Sequence, residues 1–158
     1  MTRSWGRRRD LPTADAHNGC PQRMPTADEI AALLRGVRTI AVVGCSPDPS
    51  RDSHRVSSYL KRAGYRVIPV NPNCLEILGE TCYPSLLQIP VPVDLVDVFR
   101  RSSEVAPVVE EAIAAGARAI WTQLGVRDEK AARRAREAGL VVVMDRCLMV
   151  DHAALVGS

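Results

Sequence analysis

A chain of 158 residues with 46% hydrophobic and 25% charged residues has the size and composition of one globular domain with a single core. Its net charge of +3 comes from residues 1–24, which carry five arginines and two acids, so the remainder holds 16 basic and 16 acidic residues. A neutral domain is a poor nucleic-acid binder, and no apolar run reaches the roughly 18 residues of a membrane span. We therefore expect neither a nucleic-acid partner nor a membrane partner.

The first 24 residues and the cysteines give further information on the class of protein and its cellular compartment. Residues 1–24 show no hydrophobic periodicity and no apolar stretch typical of a secretory signal, which predicts a disordered basic tail followed by one domain over 25–158. Five cysteines without a C-x-x-C pair indicate free thiols in a reducing, cytoplasmic compartment. Their spacing matches no zinc motif, so we expect no metal site.

The domain begins with a helix that leads into a strand. Thr26 and Glu29 have the spacing of a capping box, and apolar residues at helical spacing follow them. Thr39–Val43 is a short run rich in β-branched residues, and it stops at Gly44, where a loop of Ser, Pro and Asp begins. This pattern indicates a buried strand followed by a tight turn.

A βαβ unit is predicted from this strand onward. From Asp52 apolar residues recur every three or four positions, Gly64 ends the helix, and Arg66–Val70 forms a second β-branched run. The loop after the first strand then lies at a helix N-terminus, where free N–H groups and the helix dipole favour an anion. We predict a phosphate site in this loop.

The loop fits none of the common nucleotide fingerprints. Gly44 has no second or third glycine in register, the second strand ends in Asn71-Pro72 where a dinucleotide fold has an acid, and a Walker A loop is absent. The loop offers other phosphate ligands, namely the hydroxyls of Ser46, Ser50 and Ser53 and the guanidinium of Arg51. The alternative is that Ser53 only caps the helix and Arg51 is a solvated loop residue.

The rest of the chain continues to alternate strands and helices. A short strand near 80–83 and a helical turn near 85–88 precede a strand over 93–99, in which Asp97 would either cap a neighbouring helix or lie toward an edge. The later elements are helix 103–115, strand 117–122, a helix from Asp128 to 138, strand 140–144 and a last helix from about 145 to 155. This order predicts a three-layer, doubly wound, Rossmann-like α/β domain with five or six mainly parallel strands.

Ligands of such sheets bind beyond the carboxyl ends of the strands. The residues that follow the predicted strands are Gly44–Arg51, Asn71-Pro72, Phe99-Arg100-Arg101, Gln123 and Asp145-Arg146-Cys147. Asp145 and Arg146 could also form an ion pair with each other. This set of cations, polar groups and one aromatic ring suits a ligand with several phosphates, an adenine ring and an amide-bearing arm.

Five sequence blocks resemble one family. They are the motif formed by Gly44, Ser46, Pro49, Arg51 and Ser53, then GYRVIPVNP (64–72), DLVDVFRR (94–101), IWTQLGV (120–126) and MDRC (144–147). Together they resemble the small stand-alone CoA-binding Rossmann-fold proteins, which are similar to the CoA-binding domain of the succinyl-CoA synthetase α subunit. The resemblance implies that the protein binds coenzyme A or an acyl-CoA at the carboxyl edge of a parallel sheet.

The resemblance also implies roles for particular residues. Gly44, Cys45 and Ser46 would lie at the pyrophosphate, with Arg51 and Ser53 completing the phosphate loop. Val70, Asn71 and Pro72 would lie near the adenosine. Phe99, Arg100 and Gln123 would line the groove toward the pantetheine arm. We expect a bacterial protein of acyl-CoA metabolism, with a homodimer as a further possibility.

Two other functions stay open at this level. Cys45, near a helix N-terminus and an arginine, could have a lowered pKa and serve an enzyme that acts on a CoA thioester, although a tightly packed small residue would look the same. No histidine follows a strand, and His54 falls on the predicted helix surface, so we expect no catalytic residue. An NAD-type nucleotide sensor is the second alternative, and the missing glycines and acid count against it.

Overall fold

The computed structural model of the protein describes residues 23–157, so the predicted tail over 1–24 lies almost wholly outside the described residues. Five strands form one parallel sheet: β1 (Thr39–Val43), β2 (Arg66–Val70), β5 (Leu95–Val98), β6 (Ala119–Thr122) and β7 (Val141–Val143). Between β2 and β5, the strands β3 (Glu76–Ile77) and β4 (Glu80–Thr81) form a small antiparallel hairpin. The order in the large sheet is β2-β1-β5-β6-β7.

Helices cover both faces of this sheet. They are α1 (Ala27–Gly36), α2 (Asp52–Arg62), α3 (Val105–Ala114), α4 (Glu129–Glu137) and α5 (Leu148–Leu155), with 3-10 turns at Leu86–Gln88 and Ser102–Glu104. Helices α1, α2 and α5 bury their apolar residues in one core cluster with one face of the sheet, and α3 and α4 do so on the other face. The prediction of a three-layer, doubly wound α/β domain is therefore confirmed.

Local capping explains where two of the helices begin. Glu29 N–H donates to Thr26 Oγ1 and Thr26 N–H donates to the Glu29 carboxylate, which completes the predicted capping box of α1. The side chain of Asp128 accepts from Ala131 N–H at 3.0 Å at the start of α4, as its position in the sequence predicts. These bonds satisfy N–H groups that have no partner inside the helix.

The strand order creates a crevice between β1 and β5. From β1 the chain first crosses to β2 on one side, and it later returns to build β5, β6 and β7 on the other side. The connections that leave β1 and β5 therefore diverge, which is the topological switch point where open α/β sheets bind ligands. This crevice lies beside the predicted phosphate loop.

Several local predictions need correction. The three later strands of the large sheet are shorter than predicted, and the last helix starts at Leu148, with Cys147 as its N-cap residue. Residues 52–63 depart from a purely apolar buried face, because Ala63 is exposed and the polar Ser57 is fully buried. The strand predicted over 80–83 is one arm of the hairpin, and Tyr83 pairs in parallel with Val70.

None of the helices within residues 23–157 is long and apolar enough to cross a bilayer.

Candidate ligand-binding site

A cavity of about 410 Å³ opens at the crevice between β1 and β5. It is lined by Gly44, Ser46, Ser50, Arg51, Asp52, Ser53 and Phe99. The loop after β1 and the first turn of α2 form one wall, and the end of β5 forms the other. The structure thus brings together six of the residues predicted for the site (Gly44, Ser46, Ser50, Arg51, Ser53 and Phe99), whose contact with a ligand stays a prediction.

Gly44 is required by the close approach of these two walls. Its φ is 86°, and a Cβ built there would lie 2.3 Å from the carbonyl oxygen of Phe99. Gly44 N–H donates to Val70 O at 2.9 Å, and Phe99 N–H donates to Val43 O at 2.8 Å. Only glycine allows three strand ends to meet this closely at the cavity.

The phosphate loop is held by its own hydrogen bonds. Ser53 Oγ accepts from Ser46 N–H at 2.9 Å, Ser46 Oγ accepts from Asp48 N–H at 3.0 Å, and Asp48 Oδ1 accepts from Ser50 N–H at 2.9 Å. The bond from Ser50 N–H lowers the pKa of Asp48. Ser53 therefore braces the loop, and the N-cap residue of α2 is Arg51, which provides no side-chain cap.

The wall formed by the loop after β1 and the start of α2 carries hydrogen-bond donors that the described residues do not use. No hydrogen bond or ion pair within residues 23–157 involves the Arg51 guanidinium, and none involves the N–H groups of Asp52 and Ser53 at the start of α2. The Asp52 carboxylate is paired with Arg55, whose Nη1 also donates to Ser50 O at 2.9 Å. The wall thus offers a guanidinium whose hydrogen-bond donors are unused by the described residues, together with helix N–H groups, and both suit a phosphate.

The residues predicted near an adenosine connect the loops. Asn71 Nδ2 donates to Cys45 O at 2.9 Å, and Asn71 Oδ1 accepts from Asn73 N–H at 2.8 Å. The Val70 side chain is buried in the core, so only its backbone reaches this edge, whereas Pro72 is exposed. Asn71 therefore uses its amide to join the end of β2 to the phosphate loop.

Cys45 lies beneath the loop, and its thiol does not face the cavity. Its side chain is fully buried, and Sγ lies 3.5 Å from Ser57 Oγ. Burial raises the pKa of this thiol, against the lowering considered from the sequence. Any contact of Cys45 with a ligand at the cavity must therefore come from its backbone.

Beside the cavity, a buried polar pair joins β5 and β6. Asp97 is fully buried in the central strand, which excludes the predicted edge position, and its Oδ1 accepts a short hydrogen bond from Gln123 Nε2. Burial raises the pKa of Asp97 to about 8. Phe99 and Arg100 follow on β5, both half-buried, and no partner for the Arg100 guanidinium occurs within residues 23–157.

The predicted ion pair between Asp145 and Arg146 does not form. Asp145 accepts from Gly125 N–H at 2.6 Å and pairs with Arg127, contacts that lower its pKa. Arg146 pairs through two nitrogens with the Asp151 carboxylate. These residues fix the loop after β6, and the part of the chain that the structure describes contains no group of residues able to hold a metal ion.

Sequence reasoning missed one residue of the cavity. Asp52 was treated only as the start of a helix, yet it lines the cavity beside Arg51. The signal was its position three residues before Arg55, the spacing at which opposite charges meet on a helix. This spacing predicts that Arg55, and not Arg51, neutralises the negative charge of Asp52.

The parallel sheet with its topological switch point defines a Rossmann-like α/β protein. Residues 38–153 match the family model described as the CoA binding domain, and the chain belongs to this family. It is 43% identical over 129 residues to the protein YneT of Bacillus subtilis, covering 82% of this chain and 96% of that one. A solved structure of a hypothetical protein from Pyrococcus horikoshii OT3 is 42% identical, with a TM-score of 0.82, covering 84% of this chain and 94% of that one.

A larger relative carries a similar region. The ADP-forming acetate–CoA ligase I of Archaeoglobus fulgidus is 38% identical over 74 residues, which are 47% of this chain and 11% of the ligase. The homology to the CoA-binding region of such enzymes and the small stand-alone relatives confirm the family expected from the sequence. The chain spans only a small part of the ligase.

Proposed function

We propose that the protein binds coenzyme A or an acyl-CoA across the crevice between β1 and β5, without catalysing a reaction of its own. The observation that carries this proposal is the cavity at the switch point, where Gly44 lets the loop approach Phe99 and the Arg51 guanidinium makes no hydrogen bond or ion pair with the described residues. A phosphate would accept from Arg51 and from the first N–H groups of α2.

The dimensions of the site support a ligand with an extended arm. Neighbouring strands lie about 4.8 Å apart, so the path from Gly44 on β1 over Phe99 on β5 to Gln123 on β6 is about 10 Å long. A phosphate-anchored ligand can follow this path with its arm over the aromatic ring. The pantetheine arm of CoA, with its two amides, is long enough to do so.

The two alternatives are less well supported. An enzyme that used Cys45 would need its thiol at the ligand, but that thiol is buried and its pKa is raised. An NAD-type site would need an acid at the end of β2, where the Asn71 amide is already bonded to Cys45 O and Asn73 N–H. CoA requires neither feature.

We also propose that the protein works in the cytoplasm of a bacterium, in acyl-CoA metabolism. The four cysteines within residues 23–157 are free thiols, as is usual in a reducing compartment. The alignment with the relative in Bacillus subtilis covers most of both chains. The acyl group would be identified by mass spectrometry of small molecules that copurify with the native protein.

Calorimetry with three ligands tests the proposed function. We expect CoA to bind, dephospho-CoA to bind more weakly if Arg51 or Arg100 contacts the ribose phosphate, and NAD to bind far more weakly than either. Equal affinities for CoA and NAD would contradict the proposal, as would the absence of any CoA binding by the folded protein.

A further inference from the structure

A buried acid, Asp97, lies two residues before Phe99, which lines the cavity, and the proposed binding site leaves this acid without a role. Asp97 points to the same face of the sheet as Phe99, which directly follows β5, and it is fully buried between Val42 on β1 and Trp121 on β6. Burying a carboxyl group in the middle of a sheet costs free energy, and a valine would pack there without that cost. The position therefore calls for an explanation beyond packing.

The contacts of Asp97 are unequal. Its Oδ1 accepts from Gln123 Nε2, whereas its Oδ2 is buried without any hydrogen-bond partner among the described residues. Gln123 is the partner with access to the surface, because it follows the last residue of β6 at the carboxyl edge and is 7% exposed. The one hydrogen bond of the acid among the described residues is thus to a residue at the carboxyl edge of the sheet.

In the structure, this bond sets the orientation of the Gln123 side-chain amide. Because Nε2 is held by Asp97, Oε1 points away from the acid, and it has no hydrogen-bond partner within residues 23–157. A carbonyl oxygen fixed in this way is an acceptor for an N–H group and cannot serve as a donor. Without Asp97, the amide could rotate and present either end.

We propose that Asp97 is a positioning residue for ligand recognition: it orients Gln123 so that Oε1 accepts a hydrogen bond from an amide N–H on the arm of the ligand. This inference rests on the proposed binding of CoA, and it assigns the arm, as distinct from the phosphates, to the Asp97–Gln123 pair. It also gives the site a preference for a peptide-like arm over an arm that carries only acceptors.

The test separates the arm from the nucleotide. Calorimetry compares CoA with adenosine 3′-phosphate 5′-diphosphate, which keeps all three phosphates and lacks the arm. In Gln123→Met and Asp97→Val proteins, CoA affinity should fall about five- to ten-fold, as expected for one hydrogen bond, while affinity for the fragment changes less than about two-fold. The double variant should lose no more than either single variant.

A conservative variant distinguishes positioning from bulk effects. Asp97→Asn keeps an oxygen that accepts from Gln123 Nε2 and, like a protonated carboxyl group, has a donor beside it, so it should retain CoA affinity within about two-fold of the original protein. If Asp97→Val does not fold, Asp97→Asn and Gln123→Met still decide the matter, because the inference requires the first to be silent and the second to affect CoA alone.

Two results would contradict the positioning role of Asp97. Equal losses for CoA and for the fragment, or a loss with Asp97→Asn as large as that with Gln123→Met, would overturn the positioning role. The proposed function would fail separately, since it requires that the unaltered protein bind both CoA and the fragment. A protein that binds both ligands but shows no selective loss contradicts only this inference.

Discussion

The side-chain amide of Asn71, at the end of β2, donates a hydrogen bond of 2.9 Å to the backbone oxygen of Cys45, 26 residues earlier in the chain. This bond joins the second strand to the phosphate loop at the position where a dinucleotide fold would carry an acid. The side-chain amide thus connects two loops, and it holds the loop that forms one wall of the cavity.

Replacing Asn71 by aspartate should therefore weaken the protein without creating an NAD site. The Asn71→Asp carboxylate would face the Cys45 carbonyl oxygen with no proton to donate, which should lower the free energy of unfolding by about 1–3 kcal/mol. Urea denaturation measures the loss, and calorimetry should show weaker CoA binding with no gain for NAD. A switch to NAD binding would contradict this role of the Asn71 amide.

Arg51 should act on the ligand and leave stability alone. Because its guanidinium makes no hydrogen bond or ion pair with the described residues, Arg51→Ala should leave the melting temperature nearly unchanged but weaken CoA binding about ten- to a hundred-fold. Arg62→Ala is the matched control, since Arg62 is exposed at the far end of the same helix. Unchanged CoA affinity in the Arg51→Ala protein would remove the loop from the binding site.

Substitution of Gly44, which lines the cavity, should destabilise the protein more than substitution of a glycine with open space around it. Gly44→Ala places a Cβ 2.3 Å from the Phe99 oxygen, whereas Gly116→Ala has a similar φ of 76° with nothing within 4 Å. The control should cost about 1–2 kcal/mol for its left-handed backbone, and Gly44→Ala should cost about 3 kcal/mol or more and abolish binding. Comparable losses in denaturant midpoints would show that the close contact carries no energy.

The stability of the protein should depend on pH through Asp97. With its pKa raised to about 8 from 3.8, the folded protein keeps a proton that the unfolded chain releases, so the free energy of unfolding should fall as pH rises through this range. The expected slope is about 1 kcal/mol per pH unit, and Asp97→Asn should remove it.

His152 adds the opposite slope at the acid end of this range, because burial lowers its pKa from 6.5. That contribution cancels when the original and Asp97→Asn proteins are compared at each pH by urea unfolding. Identical pH profiles for the two proteins would mean that Asp97 is ionised in the fold.

The thiol of Cys45 should react slowly and be dispensable for binding. In a Cys20→Ser background, a thiol reagent should label Cys74 and Cys147, which are half-buried, well before Cys45 and Cys82. Cys45→Ser should keep CoA affinity within a few-fold. Rapid labelling of Cys45 that CoA blocks would favour the enzyme alternative.

The spacing of hydrophobic residues and the positions of turn-forming residues were enough to predict most of the fold. The β-branched run Thr39–Val43, the turn at Gly44 and the helical spacing after Asp52 are local signals, and each specifies an element without reference to the rest of the chain. The capping box of α1 is equally local. The carboxyl edge could be predicted because parallel strands all end on the same side of their sheet.

Contacts between distant parts of the chain could not be predicted. Asp97 and Gln123 lie 26 residues apart, and only the pairing of β5 with β6 brings them together. An acid in a strand signals that some partner exists, but its spacing does not say which. The same holds for Asp145, whose partner Arg127 lies in a different loop from the neighbouring Arg146.

The internal bracing of the phosphate loop has a kinetic consequence. Ser46, Asp48, Ser50 and Ser53 already satisfy one another, so the loop need not rearrange when a phosphate arrives. Association should then approach the speed of an encounter between rigid bodies, and little ordering entropy should oppose it. Differences in affinity among ligands and variants should accordingly arise in the lifetime of the complex, with nearly constant association rates.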